Sequence, residues 1–146
     1  MTAASDGRLP SAADYLPDWA APRIVVVERE HHWTGALATE VRSRIPPDIT
    51  APVFEQCTSG RDALLAAELR NTVAIVLCLS GLEKDILGML GRLNRTTHQL
   101  PILAVGQQLH SDILPALTES GVQTMMTDIR DEIGMSDWCL RVLQKR

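Results

Sequence analysis

The first run of chemistry-bearing residues in this chain is Glu28-Arg29-Glu30-His31-His32. Carboxylates and imidazoles are ligands for zinc and other transition metals. Adjacent side chains on one loop diverge, however, and no second ligand pair repeats at a fixed spacing. His98 and His110 fall in other loops. The run is therefore read without a metal site. Arg29 argues the same way, because a guanidinium is a permanent cation that repels a divalent ion and fills its space. Cys78, in Leu77-Cys78-Leu79-Ser80-Gly81, is the second candidate. A thiol beside Arg29 would have a lowered pKa and could act as a nucleophile. The plainer reading is a small core thiol, and it is preferred because the glycine-arginine cradle of a cysteine phosphatase is missing. Ser80-Gly81 and Gly106-Gln107-Gln108 could approach a phosphate, yet neither a G-x-G-x-x-G nor a G-x-x-x-x-G-K-[ST] pattern occurs. No catalytic residue, enzyme activity or cofactor is expected.

These residues stand where strand signals end. Residues 23–28 form a β-branched run of the kind a buried parallel strand requires, as do 73–79. Residues 52–57, 101–105 and 122–127 give the other strands, with Pro101 at the first position of its strand. Helical stripes lie between them. Leu37, Val41 and Ile45 align over 33–44, before Pro46-Pro47 stops the helix. Ser59 is an N-cap for a helix to about Arg70 with Leu64, Leu65 and Leu69 as its apolar face. Ile86, Leu87, Leu90 and Leu93 align over 82–94, and a short helix runs from Ser111 or Asp112 to before Gly121. Ser136 is expected to cap a last helix with Trp138, Cys139, Val142 and Leu143 inward. Five β–α units in series predict an α/β domain, a flavodoxin-like parallel sheet of order 2-1-3-4-5 with helices on both faces. It spans residues 23–146 and follows a flexible tail, 1–22, interrupted by Pro10, Pro17 and Pro22. Tyr15, Leu16 and Trp19 are the tail's candidate anchor.

Hydrophobic residues make up 45% of the 146 and aromatics 3%, so the core must be aliphatic, which suits this architecture better than an aromatic-rich β-sandwich. A formal charge of −4 with scattered arginines disfavours nucleic-acid binding. Three widely separated cysteines without a C-x-x-C pair point to reduced thiols and a cytoplasmic protein. Neither a signal peptide nor a membrane span is expected, because Met1-Thr2-Ala3-Ala4-Ser5-Asp6 has neither a basic start nor an apolar stretch and no apolar run approaches the ~20 residues of a span.

The stretch Val26-Val27-Glu28-Arg29-Glu30 resembles the end of the first strand in bacterial response-regulator receiver domains, and the pattern match extends over residues 23–146. In that family two adjacent acids there hold magnesium, and here Arg29 replaces the second. The family's phosphate-accepting aspartate aligns with Cys78. Its hydroxyl residue at the end of strand four aligns with Gly106, its switching aromatic on strand five with Met125, and its lysine with Asp128, 22 residues beyond Gly106 at the family's usual spacing. The resemblance thus implies a degenerate phosphoacceptor pocket of Glu28, Arg29, Cys78, Gly106 and Asp128, in which Glu28 and Asp128 could pair with Arg29. It also implies a contact face on the fourth helix, fifth strand and fifth helix, with Ile113, Leu117, Trp138 and Arg141 as candidates. The expected function is a non-phosphorylatable pseudo-receiver. With no effector sequence after Arg146, it would act as a stand-alone adaptor for a signalling protein or as a homodimer. The alternative is a flavodoxin-like domain binding a nucleotide or other small molecule at the same edge, with Arg29 holding an anion.

Overall fold

The computed structural model describes residues 21–29, 33–79, 88, 91–92, 100–106, 115, 119, 122–126 and 132–145. Five strands, β1 (Arg23–Val27), β2 (Val53–Cys57), β3 (Thr72–Cys78), β4 (Ile102–Gly106) and β5 (Gln123–Met126), form one sheet of order β2-β1-β3-β4-β5. Every pairing is parallel, so the expected flavodoxin-like order holds. β1 lies inside the sheet between β2 and β3, and its Ile-Val-Val-Val run is buried on both faces, as a strand covered by helices must be.

Alternate residues of the strands face opposite layers. Val25, Val27, Ile75, Leu77, Leu79, Ile102 and Ala104 pack on one side, against α2 (Gly60–Ala67). Ile24, Val26, Ala74, Val76, Cys78, Leu103 and Val105 pack on the other, against α1 (Trp33–Arg44) and α3 (Glu132–Gln144). Leu37 and Val41 of α1 are buried as the stripe predicts, and Ile45 packs at the edge of the same cluster. The Arg44 guanidinium pairs with Asp137 and donates to the Ile133 carbonyl at 3.4 Å, which ties α1 to α3.

Ser59 caps α2 as expected: its backbone is extended and its hydroxyl accepts from the Asp62 N–H at 3.2 Å. The far end is closed by Thr72, whose buried hydroxyl donates to the Ala66 carbonyl at 2.6 Å. The buried face of α2 differs from the expected one. Ala63, Ala66 and Ala67 face the sheet, Leu64 is half-buried, and Leu65 and Leu69 are 58% and 45% exposed. Large strand residues already fill that side, so the helix meets them with its small side chains.

Two further expectations are corrected. The last helix begins at Glu132, so Ser136 is no cap; it lies a turn inside, fully buried, with no partner for its hydroxyl. Trp138 does not serve a contact face: it is 4% exposed and fills the α1/α3 layer of the core. An indole on the inner stripe of a helix contributes more apolar contact there than at a rim. Pro22, placed in the tail by sequence, is buried, and its carbonyl accepts from the Val53 N–H at 2.7 Å. Most of the 82–94 and 111–121 segments lies outside the described residues, although Gly88, Gly91 and Arg92 are helical.

Candidate functional site

The parallel register brings the ends of β1, β3, β4 and β5 to one edge. Val27 lies beside both Cys57 and Leu77, Cys78 beside Val105, and Gly106 beside Met126. Two backbone bonds carry the sheet past the strand ends: the Glu28 N–H donates to the Cys57 carbonyl and the Leu79 N–H to the Val105 carbonyl, each at 2.9 Å. Glu28, Arg29, Cys78 and Gly106 therefore share the carboxyl edge, where ligands bind in open α/β sheets.

Glu28 is 1% exposed, unusual for a carboxylate, and its partners explain it. Both oxygens accept from the Trp33 N–H, at 2.8 and 3.0 Å. The second oxygen also accepts from the Thr34 N–H at 2.5 Å and the Thr34 hydroxyl at 2.6 Å. These are the first residues of α1, whose opening N–H groups have no partner within the helix. The first turn of α1 contains no acid of its own. Glu28 supplies the missing negative charge from the end of β1, in the place where the helix dipole favours an anion. Sequence reasoning missed this role. The available signal was a helix start without an acid or a Ser, Thr, Asp or Asn immediately before it, five residues after a strand-end glutamate that Thr34 could meet.

Cys78 lies on the α1/α3 side of the sheet. Burial pushes its thiol up to about 12, and the negative charge of Glu28 adds to the rise. This suits the preferred reading of a core thiol over the alternative of a nucleophile activated by Arg29: both influences on the thiol act upward, and the neutral form persists at physiological pH. Burial acts alike on Cys139, pushed up to about 12. At Cys57, pushed up to about 11, burial leads and the Glu55 and Asp62 charges assist. All three cysteines are free and buried.

Arg29 is exposed at the rim, next to Glu28 in sequence. Gly106 ends β4 and offers backbone alone. Met125 is on β5, paired with Val105, while its side chain lies outside the described residues. Asp128, Ile113 and Leu117 also lie outside them, and with Asp128 the suggested pairing to Arg29. Arg141 is exposed on α3.

The chain is similar to several solved structures. A response regulator from Thermotoga maritima matches at 8% identity with a TM-score of 0.62, over 85% of this chain and 98% of that one. A response regulator from Hahella chejuensis matches at 16% identity and 0.62, over 83% and 93%. A response regulator receiver protein from Pseudoalteromonas atlantica matches at 12% and 0.59, over 85% and 95%. The fold is that of a response-regulator receiver domain. At these identities the likeness is one of fold. No protein-family model matches the sequence, and no curated protein matches it either.

Receiver folds raise the question of a divalent cation at this edge, and the donors among the described residues do not fit one. The one carboxylate among the described residues of the edge has both oxygens committed to α1, and the adjacent position is a guanidinium. A hard cation needs several oxygen donors free to converge on it. Among the described residues, no group of three or more His, Cys, Asp or Glu could hold a metal, and no helix is long and apolar enough to cross a membrane.

Proposed function

We propose that this chain is a pseudo-receiver, a cytoplasmic protein-interaction module of bacterial signal transduction that takes up no phosphate. The observation that carries this reading is the commitment of Glu28 to the N-terminus of α1. Phosphoryl transfer at such an edge needs a metal, an acceptor and donors around the transferred group. Here the acid at the metal position caps a helix, and the group at the acceptor position is a neutral buried thiol. What remains for such a domain is its surface, presented to a signalling partner or to a second copy.

The test is incubation with acetyl phosphate and magnesium, followed by Phos-tag electrophoresis. A single unshifted band is expected, and a retarded band overturns the reading. Arg29→Asp should not gain ordinary magnesium affinity, because Glu28 stays with α1; tight magnesium binding by that variant would show that Arg29 alone blocks the site.

The exposure of Arg29 at this edge supports a second reading, a small-molecule-binding domain in which the guanidinium holds an anion. A thermal-shift series with nucleotides and cyclic dinucleotides separates the two. A large concentration-dependent rise in Tm favours the ligand, and no rise favours the interaction module.

A further inference from the structure

The side of α2 turned away from the sheet is apolar where a single chain has no use for it. Ala63, Ala66 and Ala67 face the strands, which leaves Leu65 and Leu69 exposed, four positions apart. They are two of the three large apolar side chains exposed among the described residues. Single exposed leucines are ordinary, but two at this spacing share one side of a helix and form a stripe. The helix that presents them is held at both ends, by the Ser59 hydroxyl at its start and the Thr72 hydroxyl at its end. A stripe on a fixed helix loses little freedom when it is covered.

The charges beside the stripe say what fits it. Arg61 and Glu68 are both exposed, and Glu68, at the C-cap, keeps a helical backbone. They are seven positions apart, and seven residues bring a helix back to nearly the same side after about 10 Å. Both therefore stand on one flank of Leu65, the cation toward the start of α2 and the anion toward its end. Among the described residues, neither is used in an ion pair within the chain. This order of charges is complementary to itself when reversed. In an antiparallel second α2, related by a twofold axis beside Leu65, each Arg61 meets Glu68 of the other copy. The two Leu65 side chains then meet each other at the centre. A twofold interface repeats each contact, so one cation and one anion per chain give two pairs across it.

We propose that the Leu65–Leu69 face of α2 is a self-association surface, on which a second copy packs antiparallel with Arg61 and Glu68 paired across the twofold. One short helix per copy buries less than the roughly 1,200 Å² of a specific, stable interface, so the association is weak and reversible. At micromolar protein the copies are apart and Leu65 is open to water; toward millimolar they pair. The carboxyl edge takes no part, so this contact goes beyond the pseudo-receiver reading: phosphate uptake would end that reading and leave this one standing.

Sedimentation equilibrium of the full chain, from micromolar to near-millimolar protein, is the test. The weight-average mass is expected to rise from that of one chain toward that of two. Leu65→Ser should hold at one chain's mass throughout. Arg61→Glu and Glu68→Arg should each do the same, because like charges then meet across the twofold. The doubly substituted chain, and an equimolar mixture of the two single variants, should regain the wild-type rise, since opposite charges meet again. Both substitutions suit α2 itself, an acid entering its first turn and a base its last, so a urea midpoint near that of the wild type confirms folding. A mass that stays at one chain's up to the highest concentration overturns the proposal. So does a rise that Leu65→Ser or the single charge variants leave intact, or one that the single variants lose and the double variant does not regain.

Discussion

Among the described residues, the two faces of the sheet are packed by opposite means. Toward α2 the strands supply the bulk, with Ile75, Leu77, Leu79 and Ile102, and the helix answers with Ala63, Ala66 and Ala67. Toward α1 and α3 the strands include smaller groups, Ala74 and Cys78 among the valines, and the helices answer with Leu37, Val41, Met135, Trp138, Leu140 and Leu143. Dense packing requires large groups to meet small ones. Among the described residues, the large groups belong to the sheet on one side and to the helices on the other. That face includes Cys78, and the first residues of its helix α1 hold the Glu28 carboxylate.

Trp138→Ala should give the largest effect if that contrast is right. Truncating a buried indole removes its transfer energy and leaves a cavity, at about 4 kcal/mol. Urea unfolding measures it, and a loss below about 1 kcal/mol would mean that Trp138 lies at a rim, as a contact face would require. Glu28→Ala comes next. It strips partners from the Trp33 and Thr34 N–H groups and from the Thr34 hydroxyl, in a site from which water is largely excluded. A loss of about 3 kcal/mol is expected, from a missing cap and buried donors left unmet. Glu28→Gln keeps an acceptor oxygen and should lose about half as much. Equal losses for the two variants would show that packing around the side chain matters, and not the capping of α1.

Much of this architecture was legible because parallel strands buried on both faces must be continuous aliphatic runs. Residues 23–28 and 73–79 announced β1 and β3 within a residue or two of their observed bounds, and Pro46-Pro47 marked the stop of α1. The leucines of α2 misled for a definite reason. Residues 63–69 offer two helical stripes, one of alanine and one of leucine, and hydrophobicity alone favours leucine. The choice was made by the strands beneath, whose bulk is not visible in the helix's own sequence. Ser136 misled likewise: a serine after a glycine and a methionine resembles a cap only while the preceding turn, Glu132 to Met135, goes unrecognised as helix. At the carboxyl edge the residue types were readable one by one, but the use made of Glu28 was not. It depends on a hydrogen bond across a loop, between a strand end and a helix start, and no periodicity encodes that.

The smallest expected effect is also the sharpest test of the contrast. Leu65→Ser, at a side chain 58% exposed, should change unfolding free energy by no more than about 0.5 kcal/mol, because little apolar surface leaves water there on folding. On the opposite face, substituting a leucine of the inner stripe such as Leu37, which is fully buried, would remove a core side chain outright. A loss near 2 kcal/mol for Leu65→Ser would mean that this leucine is covered in solution. Dilution then distinguishes the cause. If the loss shrinks as protein concentration falls, the cover is a second copy, since a dimer's contribution to stability depends on protomer concentration. If it does not, α2 sits in solution with its leucines turned toward the sheet, and the alanine-faced arrangement is wrong.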